Sequence, residues 1–276
     1  MEKTNKASFP DRLTLKIAAA AAMLADHIGF RFASFIPEAA PVLRIIGRSA
    51  FPLFAFMVAE GAKKSRNIKK YMLRLLIFAI LSEPIYDLFL TGKLPAPGKT
   101  NVLFTLLLGL LSVVFFRMIT RFAEGKRGTA GVAVRLAALL PAVAAMAAAQ
   151  LMSTDYGYWG VLLVFLFSLP DRTTPAGIAL TAGICVIFAS RNLLTYSAGL
   201  ILSSFAGTVR EPPGSWQLTQ IYSAAALLLI LPYRGSAGPR IPEEKPGLRK
   251  AVQLAFYAFY PLHMLALSLI SMLIKK

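Results

Sequence analysis

Long apolar stretches, each close to the length of a membrane-spanning helix and separated by short segments dense in lysine and arginine, dominate this sequence from residue 13 to residue 274. A helix needs roughly 20 mostly apolar residues to cross about 30 Å of hydrocarbon. Segments that meet this requirement lie at about 13–35, 42–61, 70–90, 101–119, 132–150, 156–170, 174–190, 192–208, 215–232 and 251–274. The expected fold is therefore all-α: a polytopic integral membrane helix bundle with nine or ten transmembrane helices. Composition agrees, since 57% of the 276 residues are apolar and 16% charged, against about 45–50% and about 25% in soluble domains. There is no heptad or solenoid repeat and no linker longer than about 20 residues, so residues 1–276 are expected to form one membrane domain.

The charge is lopsided: 30 Lys and Arg face 13 Asp and Glu, for a net charge of +17. Twenty of the 30 fall in four clusters, at 3–16, 63–74, 117–135 and 234–250. A nucleic-acid partner is excluded because these residues form no single face; they alternate with apolar stretches as cytoplasmic loops do. Lys63, Lys64, Arg66, Lys69, Lys70 and Arg74, with no acid among them, place the second cluster inside. The N-terminus, with Lys3, Lys6, Arg12 and Lys16, is then cytoplasmic in a bacterial inner membrane, as are Arg117, Arg121, Lys126, Arg127 and Arg135 around Glu124. Arg234, Arg240, Lys245, Arg249 and Lys250 should also be inside, yet nine preceding helices place them outside. Either one segment between 174 and 208 is re-entrant or 192–232 divides differently. The first apolar run ends in Asp-His-Ile-Gly-Phe-Arg without a small-residue cleavage site, so it is not expected to be a removable signal. Cys185 is the one cysteine, which excludes disulfides and a cysteine-ligated metal, and no metal is expected. Trp159 and Trp216 fit an interfacial aromatic belt.

Charged residues inside spanning helices cost several kcal/mol and are kept where they pair or function. Here they concentrate in the first three helices. Lys16 and His27 are eleven residues apart, close to three turns, and share a face of the first. Arg44 and Arg48 share a face of the second, which carries Glu60 at its other end and Pro52, a potential kink, between. The third carries Arg74 and then Glu83-Pro84-Ile85-Tyr86-Asp87, with a bend expected at the proline. Stacked by depth, these helices give an outer layer of Asp26, His27, Arg48, Glu83, Tyr86 and Asp87. A cytoplasmic layer holds Lys16, Glu60, Arg66, Lys70 and Arg74. The outer layer has an imidazole, carboxylates and an arginine, as general acid–base chemistry requires; the inner could receive phosphates. A nucleotide-bearing donor with a long arm, such as acetyl-coenzyme A, has a matching shape. The alternative is that these charges are register-fixing ion pairs, Glu60 with Arg74 and Asp26 with Arg48. His263, after Tyr260-Pro261, reads as an interfacial residue.

At these residues the sequence resembles the TraX family, whose founding member is associated with N-acetylation of conjugative pilin. The resemblance is carried by Lys16 with Asp26-His27-Ile28-Gly29, by Arg44 to Phe56, Glu60-Gly61, Arg66-Asn67, Tyr71 with Arg74-Leu75, and Ser82 to Asp87. Asn101 to Thr105, Asp155-Tyr156-Gly157 with Gly160-Val161, and Phe259 to His263 extend it over most of the chain. More distantly, the spacing of Lys16 and His27 resembles the basic residue and histidine of acyltransferase-3 type membrane acyltransferases, with Lys where Arg is usual. Lys70 and Arg74 are four apart where that type has two arginines three apart.

The resemblance implies a membrane acetyltransferase with acetyl-coenzyme A as donor and His27 as base. On this expectation Glu83 or Asp26 fixes the tautomer of His27 and Arg48 stabilises the oxyanion. Lys16, Arg66 and Arg74 hold the donor phosphates, and Glu60, Tyr86 and Asp87 complete the substrate site. The acceptor could be a pilin-like protein, a glycan, a lipid headgroup or a small amine. Two rival readings stand beside it: a proton-coupled transporter using the same charges, and a chemistry-free assembly factor for pilin-like proteins.

Overall fold

The computed structural model describes residues 9–94, 96, 98–125, 128–206, 214–235 and 246–274. Lys3, Lys6, Lys126, Arg127, Arg240 and Lys245 of the basic clusters lie outside these residues, as do the side chains of Trp216, Arg249 and Lys250. The chain is helical, and one isolated bridge between Thr100 and Thr154 is the β pairing among the described residues. The described residues group into two compact units. One takes in those of Met1–Leu53 and Asp171–Pro239, the other those of Phe54–Pro170 and Arg240–Lys276.

In the first unit, α1 (Arg12–Arg31) starts where the Asp11 carboxylate accepts the Thr14 amide at 2.7 Å, an N-cap hydrogen bond. It packs on α2 (Ala39–Gly47). Glycines permit the close approach: a Cβ on Gly29 would stand 2.8 Å from the Ala40 carbonyl oxygen, and one on Gly47 would stand 2.2 Å from the Asp26 Cβ. The helix then breaks at Arg48 and Ser49, whose amides reach back only three residues, and resumes as α3 (Ala50–Lys64), which continues into the second unit. The expected kink at Pro52 thus lies four residues earlier. Pro52 itself is in the first turn of α3, where a missing N–H is tolerated.

The rest of this unit is α9 (Pro175–Ala189), α10 (Arg191–Ala206), α11 (Ser215–Leu218), a 3₁₀ stretch at Thr219–Ala226, and α12 (Leu227–Ile230). α9 and α10 meet at a 63° bend, a broken span or a re-entrant loop, within the stretch where the loop charges called for a different division. The expected helix at 215–232 is corrected to this broken series. In its 3₁₀ stretch the buried residues Gln220, Ser223 and Ala226 recur every three positions, the period of that helix.

The second unit holds α4 (Ile68–Thr91), α5 (Val102–Phe122), α6 (Gly128–Ala137), α7 (Leu140–Leu151), α8 (Gly157–Phe167) and α13 (Pro246–Ile274). α5 lies at its centre, packed on α4, α6, α7 and α8, while α13 packs on α4. The Asn67 side chain caps α4 and Gly92, at φ 73°, ends it. α6 stops at Ala137 because Pro141, four residues on, offers it no N–H and crowds its carbonyl. A Cβ on Gly109 would stand 2.7 Å from the Val164 Cβ, so α5 and α8 cross closely. Phe56 meets Phe167 and Phe116 meets Phe165 edge to face, at 5.7 and 5.1 Å.

Among the described residues, Arg12–Arg31, Ala39–Lys64, Val102–Phe122, Gly128–Leu151 and Ala251–Ile274 are long and apolar enough to cross a membrane, and the bent pair would make a sixth span. The protein is a multi-pass helical membrane protein, with fewer such spans than the nine or ten expected. α8 has 11 residues, too few to cross. α4 is long enough but carries Arg74, Glu83 and Asp87. Its outward face is nevertheless apolar: Leu73, Ile77, Ile80 and Leu81 are exposed, while Ala79, Ser82, Tyr86 and Asp87 are buried. That inversion suits hydrocarbon and would be costly in water.

Gly47→Ala is expected to lower the unfolding midpoint in detergent, at a cost of about 1–3 kcal/mol from overpacking against Asp26. Gly183→Ala in α9, where a Cβ meets nothing within 4 Å, is expected to be neutral or stabilising in the same thermal assay.

Candidate functional site

The described residues carry two polar centres, one in each unit. The first is built on α1 and α2. Asp26 and Phe30 are four apart on α1, and Arg44 and Arg48 four apart along α2 and its end, so each pair shares a face. Arg44 Nη1 reaches Asp26 Oδ2 at 2.6 Å and Arg48 Nη2 pairs with Asp26 Oδ1. Arg48 Nε also donates to the Arg44 carbonyl at 3.2 Å, and the Arg44 guanidinium lies 5.2 Å from the Phe30 ring centroid. All three charged side chains are 13–17% exposed. One carboxylate thus holds two guanidiniums. The Asp26–Arg48 couple forms as expected, with Arg44 added. His27 follows Asp26 on α1 and is half-buried, and Lys16, also half-buried, lies three turns earlier.

The second unit contains Glu60, Arg66, Arg74, Glu83, Tyr86 and Asp87. The expected Glu60–Arg74 couple is replaced by others. Glu60 pairs with Lys64 one turn on, at 2.7 Å, and faces Arg117 electrostatically. Arg74 bonds the Tyr257 hydroxyl and lies 5.8 and 6.0 Å from the Tyr71 and Tyr257 ring centroids. Aromatic faces and a hydroxyl meet this cation where a carboxylate was expected, while its buried Nε has no hydrogen-bond partner. Lys63 donates to the Pro170 carbonyl at 3.1 Å, whereas Arg66, Lys69 and Lys70 stand exposed at the turn between α3 and α4.

Glu83, Tyr86 and Asp87 come together further along α4. Glu83 accepts hydrogen bonds from the Asn101 backbone N–H at 3.1 Å and from the Asn101 side-chain amide, which also donates to the Ala79 carbonyl at 2.8 Å. Asn101 Oδ1 meanwhile caps α5 through the Leu103 amide at 3.0 Å. One buried asparagine therefore fixes α4 to the start of α5. Asp87 Oδ2 accepts the Ala96 amide at 3.1 Å. Tyr86 is buried within electrostatic reach of Asp155, Glu83, Tyr156 and Asp87. Tyr260 of α13, also buried, is bonded to the Val102 backbone and faces Tyr86, Asp155 and Glu83.

The turn that supplies Asp155 and Tyr156 is tightly held. Asp155 N donates to the Thr100 carbonyl at 2.9 Å, Thr100 N to the Ser153 carbonyl at 3.2 Å, and the Thr105 hydroxyl to the Asp155 carbonyl. Ser153 and Tyr156 sit at φ 51° and 66°, a left-handed conformation that is unusual for a bulky side chain and found where surroundings over-determine it. His263, expected at an interface, is buried on α13, its Nδ1 2.6 Å from the Phe259 carbonyl and its ring stacked 4.8 Å from that of Phe259.

The TraX protein family profile matches residues 11–271. The chain belongs to the TraX family. A curated relative from Dichelobacter nodosus, described as probable fimbrial assembly protein FimC, serogroup H1, is 29% identical over 259 residues, covering 90% of this chain and 91% of that protein. No solved structure matches it. In this TraX chain, Asn101, Asp155, Tyr156 and Tyr260 join the second centre although charge counting in helices one to three did not select them. The signal for them was the motif blocks Asn101–Thr105, Asp155–Gly157 and Phe259–His263, which share the family resemblance while lying in loops and later helices.

Asn101→Ala is expected to cost ~3 kcal/mol or more, because it removes a helix cap and leaves Glu83 and the Ala79 carbonyl short of donors; chemical unfolding in detergent measures this. Asp26→Ala, which leaves two guanidiniums facing each other, is expected to cost about 3–5 kcal/mol. Replacing Arg44 and Arg48 by Met in that background should recover most of the loss in the same assay.

Proposed function

We propose that this TraX-family protein is an inner-membrane acyltransferase that moves an acetyl group from cytoplasmic acetyl-coenzyme A to an amine or hydroxyl acceptor. The observation that carries this reading is the family match over residues 11–271, together with His27 placed on α1 next to Asp26, which holds Arg44 and Arg48. His27 takes the proton of the acceptor as its nitrogen or oxygen attacks the thioester carbonyl. The Arg44–Arg48 pair, of which Arg48 is the closer in sequence to the family motif Ser49-Ala50-Phe51-Pro52, stabilises the oxyanion. The C–S bond then breaks, and the coenzyme thiolate leaves with the proton that His27 returns. Asp26 acts through the arginines, since both its oxygens are bound to them.

On the donor side, the exposed Arg66, Lys69 and Lys70 bind phosphates from the cytoplasm, where the positive-inside rule puts them and the N-terminus. Arg74, held by Tyr257, forms the inner wall of that basic region. The name of the Dichelobacter nodosus relative, a probable fimbrial assembly protein, supports a pilin-like subunit as acceptor. A second reading, a proton-coupled transporter, draws on the 63° break between α9 and α10, because transporters use broken helices.

Purified protein is expected to be protected against heat by acetyl-coenzyme A and to transfer its acetyl group to an amine acceptor. His27→Ala should reduce transfer at least about 100-fold with an unchanged unfolding midpoint. Full activity in His27→Ala overturns the mechanism, and proton-coupled flux in proteoliposomes without acetyl-coenzyme A protection favours the transporter.

A further inference from the structure

The 3₁₀ stretch at Thr219–Ala226 runs for 8 residues between α11 and α12, where such runs rarely exceed about three or four. Side chains three apart eclipse one another in this helix, so Gln220 and Ser223 stand one above the other, roughly 6 Å apart along the axis. Both are buried, at 3% and 0% exposure, and among the described residues neither Gln220 Nε2 nor Ser223 Oγ has a hydrogen-bond partner. Buried hydroxyls elsewhere, those of Ser112, Thr181 and Ser268, bond to carbonyls of their own helices. Ser82, Thr154 and Ser271 also lack partners, but they lie on three different parts of the chain. Gln220 and Ser223 share one face of one helix.

That buried face meets α9 and α2, on which the stretch packs. The Cys185 thiol of α9 lies 4.0 Å from the Ser223 carbonyl oxygen. Arg172, just before α9, bonds the carbonyls of Ile230 and Tyr233 at the end of α12, so α9 starts where α12 stops. Cys185 is ten residues beyond Pro175 and so roughly 15 Å from that end, half of about 30 Å of hydrocarbon. Bulk water does not serve polar groups at such depth. An unpaired amide and an unpaired hydroxyl are costly there, and the 3₁₀ ladder that carries them has poorer hydrogen bonds than an α-helix. The stretch is therefore a weak place at which this wall can part from α9.

The surroundings define what enters. Neither Pro175–Ala189 nor Thr219–Ala226 contains an acid, a base or a histidine, and the arginines of α2 are held by Asp26. A charged ligand would enter without a counter-charge, and a hydrocarbon chain would leave both polar groups unpaired. What fits is an uncharged chain with an acceptor for the Gln220 N–H and a donor or acceptor for the Ser223 hydroxyl. A secondary amide has both, and two amides along a thin chain answer the two levels.

We propose that Gln220 and Ser223 form a binding site for the amide groups of an uncharged chain, reached when the 3₁₀ stretch parts from α9. Its assignment to the pantetheine arm of the acyl donor, whose two amides are separated by two methylene groups, rests on the function proposed above; the amide site itself does not. Gln220 and Ser223 then hold the arm between its nucleotide and its thioester, within the same unit as His27.

The test uses full-length protein in detergent and S-methylpantetheine, which has both amides but no nucleotide, acyl group or free thiol. It is expected to bind in calorimetry and to raise the unfolding midpoint, whereas triethylene glycol, an uncharged chain without amides, does neither. Gln220→Leu should weaken binding roughly tenfold or more and Ser223→Ala several-fold, with midpoints unchanged or raised because each removes an unpaired buried group. A second readout needs no variant: Cys185, the one cysteine, is buried beside Ser223, and S-methylpantetheine should slow its alkylation by N-ethylmaleimide, followed by mass spectrometry. Wild-type affinity in the folded variants, or no effect of S-methylpantetheine on the midpoint and alkylation of the wild type, overturns the site. Tighter binding of N-acetyl-tetraalanine amide than of S-methylpantetheine overturns the assignment to the donor. Selective binding of S-methylpantetheine with no acetyl transfer from acetyl-coenzyme A to n-butylamine overturns the proposed acetyltransferase and leaves the site standing; transfer with a KM for acetyl-coenzyme A unchanged in both variants overturns the site and leaves the enzyme.

Discussion

Hydrocarbon supplies no hydrogen-bond partner and no counter-charge, so each polar group placed in a membrane helix must find its partner within the protein. The first unit meets this constraint at Asp26, whose two oxygens are each taken by a guanidinium of α2. The pairing dictates backbone geometry as well as charge. Arg44 and Arg48 reach Asp26 only because the helices approach at Gly47, where even a methyl group would overlap the Asp26 side chain. The break after α2 follows at Arg48 and Ser49, where the chain turns into α3. In the second unit, Asn101 plays the corresponding part with a neutral group, joining Glu83, the Ala79 carbonyl and the first turn of α5.

The helices that were legible in the sequence are those whose apolar length alone decides them. α1, α5 and α13 end within a few residues of their expected limits because nothing interrupts them except loops and caps. Segments judged on apolar content alone went wrong where a second requirement competed. Residues 156–170 are apolar throughout, but the left-handed turn at Tyr156 and Pro170 beyond its far end limit α8 to 11 residues. Residues 215–232 hold enough apolar side chains for a span, yet burial at every third position draws the backbone into a 3₁₀ stretch.

The candidate residues divide along the same line. Asp26, Arg48, Glu83 and Asp87 were visible because a charge in an apolar run is costly enough to need a reason. Asn101, Tyr156 and Tyr260 carry no charge, and periodicity cannot say that a cap residue, a strained turn and a late helix converge on α4. Pairings were harder still to read than positions. Glu60 and Arg74 have opposite charges at a shared expected depth, but Lys64 is one turn from Glu60 on the same helix, and Tyr71 and Tyr257 offer Arg74 two aromatic faces without the desolvation cost of a second ion.

The two centres differ in how their charges are met, and that difference bears on what each can do. A carboxylate shared by two guanidiniums is met by charge, and the ion pairs hold both arginines in place. A carboxylate met by amides is oriented but not neutralised. Removing one partner therefore has different consequences in the two centres: loss of Asp26 strands full charges, whereas loss of Asn101 frees a carboxylate and a carbonyl from the amide that holds them.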